Sequence, residues 1–144
     1  MPPDAIQLGR HHRAWTYTVS WLLFASGAAW QILHWLPEIA PTQNSAAPWL
    51  MRIHGATAMA ALVILGTLIP LHLRRGWIAR RNRFSGVAFT CVSALLVITG
   101  YALYYVGSEW LRAWSSYTHV ALGLAAPLAL LWHIRLGRKS RERS

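Results

Sequence analysis

Acidic side chains are nearly missing from this chain, which has 4 Asp and Glu against 14 Lys and Arg in 144 residues. Charge of either sign is scarce too: 12% of residues are charged and 55% are hydrophobic, whereas an ordinary soluble domain is about one quarter charged. Cysteine is reduced to Cys91. It cannot close an intrachain disulfide, and its simplest role is that of a small packing residue. Nicotinamide, flavin and nucleic-acid-binding motifs are absent, as are internal repeats. The composition therefore excludes a soluble enzyme domain and indicates a small integral membrane protein.

What the chain has instead is apolar length. Four stretches, about residues 15–35, 50–73, 84–106 and 113–134, each approach the ~20 residues needed to cross a hydrocarbon core. The sequence predicts an all-α, four-helix transmembrane bundle that takes up residues 1–144 as a single domain. The first stretch follows basic residues and contains Ala25, Ser26, Gly27 and Ala28, as a signal peptide would, but its apolar run to Leu36 is too long. It is read as the first span. Pro37, Pro41 and Pro48 frame a polar loop with Thr42, Gln43, Asn44 and Ser45, Gly76 interrupts a basic loop, and a short link at Gly107–Arg112 joins the last two spans.

Charge orients these spans. Twelve of the 14 cations lie in three groups: Arg10 and Arg13; Arg74, Arg75, Arg80, Arg81 and Arg83; and Arg135, Arg138, Lys139, Arg141 and Arg143. With four spans, the N-terminus, the second loop and the C-terminus share one side. The positive-inside rule makes that side cytoplasmic, with both termini inside and residues 135–144 as a basic cytoplasmic tail. The loops bearing Glu38 and Glu109 face outward. A net charge of +10 is explained by topology and by attraction to anionic lipid, so no nucleic acid is expected. Of the nine tryptophans, Trp30, Trp35, Trp49, Trp110 and Trp114 fall toward the outer face and Trp15, Trp77 and Trp132 toward the inner one. They form an aromatic belt, or, on the outer face, wall a cofactor or dock a periplasmic partner.

Histidines lie as two pairs inside apolar stretches: His54 and His72 in the second, His119 and His133 in the fourth. Ionisable groups at that depth mark function by default. Eighteen residues separate the first pair, five full turns of an α-helix, and 14 separate the second, which leaves it within ~40° of one face. The second and fourth spans run parallel, so His54 can meet His119 near the outer surface and His72 can meet His133 near the inner one. Two bis-histidine haems need such a constellation. Small residues on the same faces, Ala58, Ala61, Gly123 and Ala126, leave room for a flat ring or let helices pack closely. The spacings imply rises of ~27 Å and ~21 Å, so either Pro70 and Pro127 bend the chain to absorb the difference or only one haem forms.

Four short spans, paired histidines on two of them, basic cytoplasmic loops and no soluble domain resemble a bacterial di-haem cytochrome b. The likeness is to cytochrome b561-like proteins and to the cytochrome b subunits of hydrogenases and formate dehydrogenases, over about residues 12–136. The spacing of 14 matches the cytochrome b of quinol-oxidising complexes, and the spacing of 18 departs from it. The resemblance implies a non-covalent haem b in each site and electron relay across the bacterial inner (cytoplasmic) membrane, which agrees with the lack of a C-x-x-C-H attachment motif. Donors or acceptors would be a quinone, a periplasmic redox protein or a larger redox complex.

Other residues take supporting parts in this reading. Arg52, near His54, is expected to neutralise a haem propionate, since an outward arginine has no topological reason to be there. Arg112 is a second outer candidate, and Arg74, Arg75 and Arg135 flank the inner pair. His34 is an interfacial polar residue, a propionate or quinone contact, or an alternative ligand; His11 and His12 are polar flanks. Two rivals stay open: a histidine-lined proton or metal transporter, although intramembrane Asp or Glu is lacking, and a non-redox anchor subunit.

Overall fold

Apolar segments wind into helices, which satisfy their own backbone hydrogen bonds. In a computed structural model that describes residues 9–36, 46–80 and 82–142, the chain is helical throughout apart from short connections. The elements are α1 (Arg10–Trp35), α2 (Ala46–Leu68), a five-residue π-helical turn (Ile69–Leu73), α3 (Arg74–Ile78), α4 (Arg83–Tyr105) and α5 (Glu109–Glu142). Pro37, Glu38, Pro41, Thr42, Gln43, Asn44, Ser45, Arg81 and Arg143 lie outside the described residues.

Proline and glycine chemistry sets several boundaries. α1 stops at Leu36, which is extended at φ −85° and ψ 105°, as the residue before a proline prefers to be. Pro48, expected in the outer loop, instead sits in the first turn of α2, where its missing N–H costs nothing. Pro70 falls within the π-helical turn: a proline inside a helix removes one backbone bond and pushes against the preceding turn, and widening that turn relieves both. Pro127 is accommodated inside α5. That helix also continues past the expected end at 134 into the basic tail, through Arg, Lys and Glu, which are good helix formers. The link before it is only Val106–Ser108, and Glu109 in its first turn complements the helix dipole.

Among the described residues three helices are long and apolar enough to cross a membrane: Ala46–Ile78, Arg83–Tyr105 and Glu109–Ser140. α1 has 26 residues and is not among them. The surface is that of a protein turned inside out: Val63 and Leu128 are each 70% exposed, while the buried hydrophobic residues among the described ones are Val19 and Ala47. Water would penalise so much exposed aliphatic area; lipid does not.

The chain divides into two compact units, residues 1–75 and 76–144. In the first, α1 packs antiparallel against α2. In the second, α4 packs antiparallel against α5.

Candidate functional site

The buried polar side chains among the described residues are Ser26, Ser85 and Thr99, and each touches a histidine on the opposite helix of its own pair. Ser26 Oγ lies 3.3 Å from His54 Nδ1, which is also 3.0 Å from the Leu23 carbonyl oxygen. Thr99 Oγ1 lies 2.9 Å from His119 Nδ1. Ser85 Oγ lies 3.0 Å from His133 Nδ1.

Hydrogen-bond accounting fixes the protons. A hydroxyl has one proton to give, and each of these gives it elsewhere: Ser26 to the Leu22 carbonyl at 2.7 Å, Thr99 to the Leu95 carbonyl at 2.7 Å, and Ser85 to Asn82 Oδ1 at 2.6 Å. Each oxygen must therefore accept from the histidine. For His54 the carbonyl of Leu23, which can only accept, requires the same. All three rings carry a proton on Nδ1, which in the neutral imidazole leaves the lone pair on Nε2.

Glycine follows each hydroxyl, and at Gly27 and Gly100 it makes the approach possible. A Cβ on Gly27 would stand 2.8 Å from His54 Cε1, one on Gly100 3.3 Å from His119 Cε1, and one on Gly86 3.7 Å from His133 Cε1. Ser26-Gly27, Ser85-Gly86 and Thr99-Gly100 thus form one dipeptide device used three times. In the second unit the two contacts are in step: Ser85 to Thr99 is 14 residues along α4, and His119 to His133 is 14 along α5. Phe89 stacks on His133 at 6.1 Å between ring centres.

The first unit repeats the spacing with the roles exchanged. Fourteen residues before Ser26 on α1 is His12, and 13 after His54 on α2 is Thr67; His12 Nε2 and Thr67 Oγ1 are 3.3 Å apart. Thr67 gives its proton to the Ile64 carbonyl at 2.7 Å, so His12 donates through Nε2, the opposite edge from the other three rings. His72 is half-buried and lies farther along, within the π-helical turn. That turn inserts about one residue, worth ~100° of rotation. The expectation that His54 and His72 share a face assumes an unbroken α-helix, and the wide turn interrupts it at His72.

The remaining candidates are more peripheral. Arg52 is exposed and its guanidinium lies over the Trp49 ring at 4.8 Å. Arg112 is exposed, and exposed His34 stacks on Trp30 at 5.1 Å. Cys91 is exposed, not packed as expected. Beside the Val106–Ser108 link, Tyr101 stacks on Tyr105, and Trp110, Trp114 and Tyr117 form an edge-to-face series. A Cβ on Gly123 would meet no described atom within 4 Å.

Neither a family model, a curated protein nor a solved structure matches this chain. The functional reading therefore stands on the residues themselves. Among the described residues no three His, Cys, Asp or Glu side chains gather to hold a metal ion. Sequence reasoning picked out the histidines but missed Ser26, Ser85, Thr99 and Asn82, and treated His12 as a flank. A signal was present: two hydroxyl-glycine dipeptides 14 apart, matching two histidines 14 apart.

Proposed function

We propose that the chain is a membrane b-type cytochrome that relays single electrons across the bacterial inner membrane between two bis-histidine haems, spanning it four times with both termini cytoplasmic. The observation that carries this reading is the threefold device of buried hydroxyl, glycine and Nδ1-protonated histidine. A metal-ligating histidine characteristically gives its other ring N–H to an oxygen, which fixes tautomer and ring orientation and raises basicity. His54, His119 and His133 meet that requirement, so the donor set fits haem.

A haem iron held by two imidazoles takes up and returns one electron without opening a coordination position. The residues supply the rest. His54 and His119 are assigned to the outer site, and His133 to the inner one. Its partner is His72 on the sequence reading. Arg52 would pair with a propionate at the outer end. Electron exchange with a quinone or a periplasmic redox protein belongs to the same proposal, as does contact of the basic inner segments with anionic lipid.

Purified protein should show a Soret band and two haems per chain by pyridine haemochrome assay; no haem would overturn the cytochrome and leave the transporter or anchor readings. His72→Ala should then remove the same spectral component as His133→Ala and leave the other; loss of nothing would overturn that pairing.

A further inference from the structure

The hydroxyl that orients His133 differs from the other two in where its proton goes. Ser26 and Thr99 return theirs to carbonyls of their own helices, but Ser85 spends its proton on a side chain, Asn82 Oδ1. Ser85 is also completely buried. Asn82 is fixed in turn. Its Nδ2 donates to the His133 carbonyl oxygen at 3.1 Å; a carbonyl only accepts, so that end of the amide must be nitrogen and the other end oxygen. The chain of constraint runs from the His133 backbone, through the Asn82 amide and the Ser85 hydroxyl, to His133 Nδ1. The 3.4 Å separation of Asn82 Nδ2 from His133 Nδ1 is long beside the 3.0 Å contact to Ser85, and it changes none of these assignments.

The position of Asn82 supports a dedicated role. It occupies the N-cap of α4 with left-handed φ 50° and ψ 35°, a conformation that asparagine tolerates better than most residues. An N-cap asparagine ordinarily accepts a bond from the first turn of its helix, yet this one makes no side-chain cap, because its amide is turned toward Ser85 and α5. Gly137 leaves it space, since a Cβ there would come within 3.4 Å of Asn82 Nδ2.

We propose that Asn82 is a positioning residue for the His133 haem: by taking the Ser85 proton it holds Ser85 as an acceptor for His133 Nδ1–H and so sets the electron donation of that ligand. This rests on the bis-histidine reading. With Asn82 replaced, the Ser85 hydroxyl is free to turn, His133 loses a committed acceptor, and the oxidised iron is less stabilised. A carboxylate at position 82 polarises Ser85 further and works the other way.

The test is a redox titration of the purified, haem-loaded full-length protein, with the His133 component defined as the one lost in His133→Ala. Asn82→Leu should raise the midpoint of that component by about tenfold in the one-electron equilibrium, or 59 mV. Asn82→Asp should lower it and keep full haem content, and the other component should stay in place in both variants. An unmoved His133 component, in Asn82→Leu or, should that variant not fold, in Asn82→Asp, would overturn the inference while leaving the haem reading intact, as would an equal shift of both components. A wild-type protein without haem would overturn the underlying reading instead.

Discussion

At the scale of single residues, the clearance between each imidazole and the glycine beside it makes a graded experiment. The Cβ of alanine would stand 2.8 Å from the His54 ring at position 27, 3.3 Å from His119 at position 100 and 3.7 Å from His133 at position 86. Only the last is ordinary van der Waals contact. Gly27→Ala should displace the His54 ring, with an overpacking cost of ~1–3 kcal/mol and loss of one haem, whereas Gly86→Ala should keep both. Haem content per chain and the Tm of each variant check the order. A second prediction concerns Thr99, which is 9% exposed. Thr99→Val keeps the shape but removes the acceptor of His119 Nδ1–H, and an unsatisfied buried donor costs about 1–3 kcal/mol. Thermal stability should fall by that order, with the midpoint of the His119 component raised.

At the scale of helices, register determines whether these contacts exist together. The Thr99–His119 and Ser85–His133 contacts both form because α4 and α5 carry their partners at the same 14-residue interval. One alanine inserted after Leu124 would rotate one end of α5 by ~100° and advance it by ~1.5 Å. Only one contact would then survive, so one spectral component should disappear and the other remain; retention of both would show that the histidines do not depend on the helix pair. The same geometry explains what the sequence disclosed and what it concealed. Intramembrane histidines are costly and therefore visible. Serine, threonine and glycine are common wherever membrane helices pack closely, so Ser26, Ser85 and Thr99 acquire meaning only once antiparallel register sets them opposite a ring. Small residues were sought beside the histidines on their own helices, at Ala58, Ala61, Gly123 and Ala126, whereas the glycines nearest the rings lie on the facing helix. The π-helical turn at Pro70 was legible as a disturbance but not as a rotation, because a proline does not announce which way the chain will relax.

At the scale of the whole molecule, the four-span topology depends on α1, which is not among the three helices apolar enough to cross a membrane. Composition overstates its polarity. Ser26 gives its proton to the Leu22 carbonyl at 2.7 Å and Thr16 gives its own to the His12 carbonyl at 2.8 Å, so these hydroxyls meet part of their hydrogen-bonding need within the helix. Ser26 is additionally buried against His54. The charges flanking α1 also favour crossing, with Arg10 and Arg13 at its start and none of the basic clusters after its end. A tag at residue 1 and a tag at residue 40 fall on opposite sides of the membrane only if α1 crosses it. In protease-protection assays on inverted and right-side-out vesicles, the residue 1 tag should be cytoplasmic with a C-terminal tag, and the residue 40 tag should be external with a reporter placed at the Val106–Ser108 link. If the tags at 1 and 40 appeared on the same side, α1 would lie along the surface and the protein would cross three times. The contact between Ser26 and His54 would then sit at the membrane face, where an imidazole needs no buried hydroxyl to orient it.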